Sequence, residues 1–363
     1  MLNIRLAKKD YEPFWKKLLI RVVAVLLALI ICALVIISVT DLNPVEVYGG
    51  ILDGALGTKR RVWVTIRDTL ALLLVAMGLV PAFKMRFWNI GAEGQVLMGG
   101  LASAALMIYG SALSNGILLP LIMIASCLAG IIWGIIPAFF KAKFNTNETL
   151  FTLMMNYIAM QIISFCIVFW ENPAGSNTVG IINPMTRKGW FPDVFGQRYG
   201  LNVIIVFLVA LFITFYLKRT KHGYELSVVG ESRDTARYTG INVKSVIIRT
   251  MALSGAICGL AGCLLVSGAS HTVSTTMAGG RGFTAIIVAW MSNFNTLGMV
   301  AISFLLSLMD NGAIQIASKF GLNENVSDIL IGIIIFFLIG CEFFIRFKVV
   351  IERKKSKTQA KSN

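Results

Sequence analysis

The chain has 363 residues, of which 56% are hydrophobic and only 14% charged, and its mean hydropathy is +0.77. Soluble domains carry about a quarter charged residues, so this composition excludes a water-soluble globular protein and predicts an all-α, polytopic membrane protein. The formal net charge of +15 does not imply nucleic acid, because Lys and Arg lie in loops and tails between apolar runs, where membrane orientation accounts for them.

In chain order, a tail over 1–17 carries Arg5, Lys8, Lys9, Lys16 and Lys17 and is placed in the cytoplasm by the positive-inside rule. The run 18–39 is long enough to span by itself, so no cleavable signal peptide is expected. A second span over 62–83 returns to the cytoplasm at Lys84 and Arg86, leaving Lys59, Arg60 and Arg61 outside as an exception. The third opens within Asn89-Ile90-Gly91-Ala92-Glu93-Gly94-Gln95 and ends near Gly110. Glu93 has two readings: a carboxylate facing a cavity, partner or interface because burial in lipid is costly, or a helix-start acid on the dipole.

A fourth span, 117–140, ends at Lys141 and Lys143; the fifth, 150–170, begins after the polar caps Asn145, Thr146, Asn147 and Glu148 and holds Asn156. The loop 171–200, with Pro173, Pro184, Pro192 and Trp190, is expected outside as a docking surface. The sixth span, 201–217, leads into a mixed-charge cytoplasmic segment, 218–249. Glu231 to Tyr238 is predicted to form about two helical turns, with Gly230 and Gly240 as start and stop. A short helix there suits the transfer of force from a soluble motor; an ordinary solvated loop is the plainer alternative.

The seventh span, 250–270, is dense in small residues, with Gly255 and Gly259 spaced for close helix packing. An outer segment, 271–282, follows. The run 283–291 is too short to cross a core of about 30 Å alone, and Ser292-Asn293-Phe294-Asn295 separates it from 296–309, giving two broken spans or one re-entrant unit. Asp310 and Asn311 are expected near the outer end of that ninth span, and Arg67-Asp68 as a local charge pair. The last span, 326–345, runs into a basic tail, 347–363, with Lys348, Arg353, Lys354, Lys355, Lys357 and Lys361. Both termini are expected inside, so the span number is even.

The six cysteines lie in apolar runs and the two histidines, His222 and His271, lie far apart, so no disulfide or metal site is expected. Phosphate-loop, zinc-protease and nucleophile-triad motifs are missing, which leaves no catalytic residue to name.

The stretches Asn89 to Gln95, Asn147-Glu148 with Thr152 to Ala159, Gly230-Glu231 through Ala236-Arg237 to Gly240-Ile241, and Leu253-Ser254-Gly255 resemble permease subunits of bacterial ABC importers, over 60–320. The broad group is the ribose and branched-chain amino acid type; the first two motifs resemble the nucleoside, or simple-sugar, branch. Asp234-Thr235 depart from the small residue common there. The resemblance implies a permease domain, 18–346, of the vitamin-B12-importer-like (type II) fold, with about ten transmembrane helices. It further implies a second permease subunit, identical or homologous; cytoplasmic ATPases that hold ATP and Mg; and an extracytoplasmic binding lipoprotein or protein. This chain would bind no cofactor, hydrolyse no ATP and reside in a bacterial plasma membrane. Gly230, Glu231, Ser232, Arg233, Ala236, Arg237 and Gly240 become the expected coupling residues. Asn89, Glu93, Gln95, Asn156 and Asn293 become candidates for a path accepting a nucleoside or sugar. A ribose-like substrate and, on physical grounds, an ion-coupled secondary transporter stand as alternatives, the latter opposed by the scarcity of intramembrane acids.

Overall fold

The computed structural model describes residues 2–8, 13–40, 42–321 and 324–353; Lys9, Lys354, Lys355, Lys357 and Lys361 of the basic tails lie outside them. Strand β1 (Leu2–Lys8) is followed by helices α1 (Phe14–Thr40), α2 (Pro44–Leu56), α3 (Lys59–Lys84), α4 (Ala92–Tyr109), α5 (Asn115–Phe144) and α6 (Glu148–Trp170). Then come α7 (Gly200–Arg219), α8 (Lys221–Glu231), α9 (Arg233–Tyr238), α10 (Val243–Leu265) with a π turn at Val266–Ser270, α11 (Arg281–Met291), α12 (Thr296–Phe320), α13 (Glu324–Arg346) and strand β2 (Phe347–Arg353).

The predicted spans fall on these helices; the expected cap at Asn147 is present, and Thr58 and Asn242 cap two more. Thr58, Asn147 and Asn242 each accept a bond from the backbone N–H three residues on, at 3.2–3.3 Å. Among the described residues, seven helices are long and apolar enough to cross a bilayer: α1, α3, α5, α6, α7, α10 with its π turn, and α12. The expectation of about ten also counts α4, α11 and α13. At 11 residues, α11 is about 16 Å long, half of what a lone crossing needs. Helix α2 was not anticipated. It starts on Pro44, whose fixed φ suits a first helical position, and Asn43 Oδ1 accepts from Val45 N at 3.0 Å. Asp310 and Asn311 do not end a span: α12 runs on to Phe320, so they lie inside it.

The chain divides into two compact units, Met1–Ala55 with Met309–Asn363, and Leu56–Leu308. In the first, β1 pairs antiparallel with β2, from Leu2 opposite Arg353 to Lys8 opposite Phe347. That ribbon holds the two end segments side by side, hence on the same side of any membrane the helices cross. Behind it α1 packs on α13 through Ala24, Cys341 and Ile345.

In the second unit, α3, α4, α5 and α10 form the core, with α3 buried from Ala71 to Phe83. The small residues of α10 set its contact with α5. A Cβ on Gly255 would stand 2.2 Å from the Gly130 carbonyl oxygen, and one on Gly130 only 2.0 Å from that of Gly255. Backbones this close gain dispersion contacts along their length, which substitutes for the hydrophobic drive that lipid does not supply.

Candidate functional site

Helix α4 begins inside the unit. Asn89 Nδ2 donates to Ser254 Oγ at 3.2 Å, and Ser254 lies midway along α10. Between the end of α3 and Ala92 the backbone is irregular at a depth where unpaired N–H and C=O groups would be costly. Side chains satisfy them. Asn156, on α6, accepts from Gly94 N at 2.8 Å and donates to Ile90 O at 3.0 Å. Thr152 Oγ1 accepts from Ile90 N at 3.2 Å, Asn89 Oδ1 from Gly91 N at 3.0 Å, and Asn89 Nδ2 also reaches Gln95 Oε1 at 3.4 Å. Asn89, Gln95 and Asn156 are no more than 1% exposed.

Glu93, 3% exposed, is also buried and serves a second broken helix. Its Oε1 accepts from Gly280 N at 2.8 Å and its Oε2 from Gly282 N at 2.7 Å, the free N–H groups opening α11. One carboxylate thus caps the positive end of α11 from the first turn of α4. By Gly280 the segment after His271 has reached the first turn of α4. Beside this cap, Arg281 Nη2 donates to Asp68 Oδ1 at 3.1 Å, and Arg67 forks onto the same carboxylate at 2.9–3.0 Å. Arg67-Asp68 is thus part of a wider chain of charges joining α3 and α11. Sequence reasoning missed Arg281 as its partner. The available signal was parity, since a cation heading an apolar run needs an intramembrane acid, and Asp68 and Glu93 were at hand.

Asn293 lies at the other end of α11. It is exposed, has left-handed backbone (φ 51°), and its N–H donates to Trp290 O at 3.1 Å, closing the helix. The structure therefore gathers four of the five candidate path residues into one packed knot and leaves the fifth apart.

At the end of α3 the mixed-charge segment forms a two-helix lobe. It differs from expectation in where it breaks. Gly230 lies within α8, where a Cβ would come 2.1 Å from the Lys84 carbonyl oxygen, so its bareness serves close approach to that turn. The break falls at Ser232, whose side chain caps α9 by accepting from Thr235 N at 3.2 Å. Ala236 is fully buried with Leu226, Val229, Val243, Met85 and Phe87, while Glu231, Asp234, Arg237 and Gly240 face out and Tyr238 is 92% exposed. Arg249 Nη2 donates to Glu225 Oε2 at 2.7 Å, fastening α8 to α10. Partial burial pushes the Glu225 carboxyl up, but the Arg249 hydrogen bond and charge, with His222 and Lys221, outweigh it and hold it below its ordinary range.

At the opposite end, the 171–199 loop is folded onto the π turn. Ile182 N donates to His271 O at 2.8 Å and Phe191 N to Ser267 O at 3.0 Å. The Trp190 ring stacks on His271 at 3.7 Å, 3° from parallel, and Arg198 Nη2 lies 3.0 Å from His271 Nε2. A cavity of about 880 Å3 opens here beside Asn115, Arg187, Trp190, Asp193 and Arg198. Burial, then the Arg198 charge, push the His271 imidazole down to about 4. Its folded value lies below the unfolded one, so its contribution is complete above about pH 6.5 and is lost as pH falls toward 4. Acidification across that window is expected to loosen the loop, read as a change in emission absent from Trp190→Phe. His271→Phe, which keeps a ring and removes the titration, is expected to flatten the response.

Among the described residues no cluster of three His, Cys, Asp or Glu side chains can hold a metal. With seven of the described helices long and apolar enough to cross a bilayer, broken helices mended by buried amides and a charged lobe at one end, the molecule has the build of a membrane permease. More narrowly, it belongs to the family described as branched-chain amino acid transport system / permease component, which it matches over residues 64–339. It is 31% identical to the guanosine ABC transporter permease protein NupP of Bacillus subtilis, over 93% of this chain and 97% of that one. The nucleoside ABC transporter permease protein NupB of Lactococcus lactis is 27% identical over 89% and 91% of the two chains, and the glucose ABC transporter permease protein TsgB13 of Haloferax volcanii 26% over 96% and 94%. No solved structure matches.

Proposed function

We propose that this chain is the translocating subunit of an ATP-driven importer of nucleosides, with sugars as the nearest alternative cargo. The observation that carries the reading is the end-to-end likeness to guanosine and nucleoside permeases. It pairs with a second permease subunit, receives solute from an extracytoplasmic binding protein at the 171–199 loop, and is driven by cytoplasmic ATPases that hold ATP and Mg. Both end segments lie in the cytoplasm.

The α8–α9 lobe is the part the ATPase moves. Its apolar underside, built around Ala236, fixes it to the end of α3 and the start of α10, while Glu231, Arg233, Arg237 and Tyr238 are presented to a partner. A rigid lobe so anchored passes a displacement to α3 and α10 together, the two helices at the centre of the core. Glu93, Asn89, Gln95 and Asn156 frame the path from behind by keeping α4 and α11 in register, and Asn293 marks the end of the half-length helix α11.

Reconstitution tests this. Proteoliposomes containing permease, ATPase and binding protein are expected to accumulate labelled guanosine only with ATP, and the permease alone to accumulate none; uptake by the chain alone on an ion gradient would overturn the reading. In the same assembly, Glu231→Arg with Arg233→Glu is expected to leave ATP hydrolysis running while transport falls about tenfold or more, the loss of contacts worth at least about 1.4 kcal/mol. Normal uptake in that variant would remove the lobe from the mechanism.

A further inference from the structure

Four aromatic rings meet where α11 ends. Trp88 stacks on Trp290 with centroids 5.4 Å apart and planes at 15°; Phe83 touches both, at 5.9 and 6.0 Å; and Phe294 meets Trp290 edge-on at 5.3 Å. Trp88 is 45% exposed, and the Trp290 indole N–H, although buried, has no hydrogen-bond partner. A buried donor left unpaired is uncommon and calls for an explanation. The cluster also sits against the lobe: Phe83 and Trp88 flank the Lys84–Phe87 turn, which Gly230 abuts and whose Phe87 is buried with Leu226, Val229 and Ala236.

We infer that Trp88 and Trp290 form an inner gate that is also a stacking station for an aromatic base. At rest the two indoles stack on each other and close the way. When the α8–α9 lobe shifts the Lys84–Phe87 turn, Trp88 moves with it, while Trp290 stays on α11, held at its far end by Glu93. The rings part, and a purine or pyrimidine stacks on Trp88 with its edge turned toward Trp290, a carbonyl or ring nitrogen accepting from Trp290 Nε1. Exchange of one stack for another keeps the passage closed to water and small ions while the base goes through. Trp at a helix end also serves as an interfacial anchor; an anchor, however, requires neither a stacked pair nor an orphaned N–H.

The inference rests on the nucleoside reading, and its test separates the two. In the full importer, guanosine and ribose uptake are measured per permease in the membrane for wild type, Trp88→Phe, Trp88→Leu and Trp290→Phe. Expected results are guanosine uptake reduced about tenfold in Trp88→Leu, the size of one lost base stack, near-normal uptake in Trp88→Phe, and a raised KM in Trp290→Phe, which keeps a ring and loses only the donor. Guanosine uptake in Trp88→Leu equal to wild type, or equal losses in the Phe and Leu variants, would overturn the gate while leaving the nucleoside importer intact. Wild-type uptake of ribose without guanosine would instead overturn the nucleoside reading.

Discussion

Glu93→Ala is expected to be among the most damaging single substitutions in the subunit, lowering stability and transport together. The carboxylate accepts from Gly280 N, part-buried, and Gly282 N, buried, and alanine leaves both N–H groups without a partner. At about 1–3 kcal/mol per orphaned group, the loss is about 2–6 kcal/mol before any effect on Arg281. Glu93→Gln keeps one acceptor oxygen and is expected to fall between alanine and wild type, because its NH2 faces a donor and its charge no longer complements the α11 dipole. Thermal unfolding of purified permease gives the order wild type, glutamine, alanine. An alanine variant as stable as wild type would mean that α11 finds another cap.

The second large effect is expected at the α5–α10 contact. With a Cβ on Gly255 only 2.2 Å from the Gly130 carbonyl oxygen, and one on Gly259 2.2 Å from that of Ser126, neither clash ends in a flexible side chain that can turn away. Gly255→Leu must separate two helices at the centre of the unit, above the usual overpacking cost of about 1–3 kcal/mol. The variant is expected to fail to accumulate in the membrane, with Gly255→Ala reduced but detectable. Quantified membrane protein reads both; normal accumulation of the leucine variant would show that this pair of backbones does not touch.

Much of the architecture was legible because its signals are local. Apolar runs and their caps gave the helices, and the small residues of α10 announced a close contact without naming α5. The polar opening of α4 stood out for the same reason. Its purpose did not: Glu93 and its partners Gly280 and Gly282 are separated by more than 180 positions, and no periodicity spans that gap. Glu93 read equally as facing a cavity or as a helix-start acid, because its donors are backbone groups, which every residue type supplies. The aromatic cluster was hidden likewise, with Trp88 in a short irregular stretch and Trp290 on a half-length helix. In the lobe, Gly230 read as punctuation because glycine commonly ends helices, whereas here it makes room for a carbonyl.

Asn156 has a consequence of its own. With Oδ1 on Gly94 N and Nδ2 on Ile90 O, it stands in for a peptide group that the interrupted backbone lacks. An aspartate there would set a negative oxygen against a carbonyl, so the position admits an amide and refuses its acid. A gap mended in this way leaves the broken stretch with its donors and acceptors matched inside the protein, so the helix can be interrupted without exposing bare peptide groups to lipid.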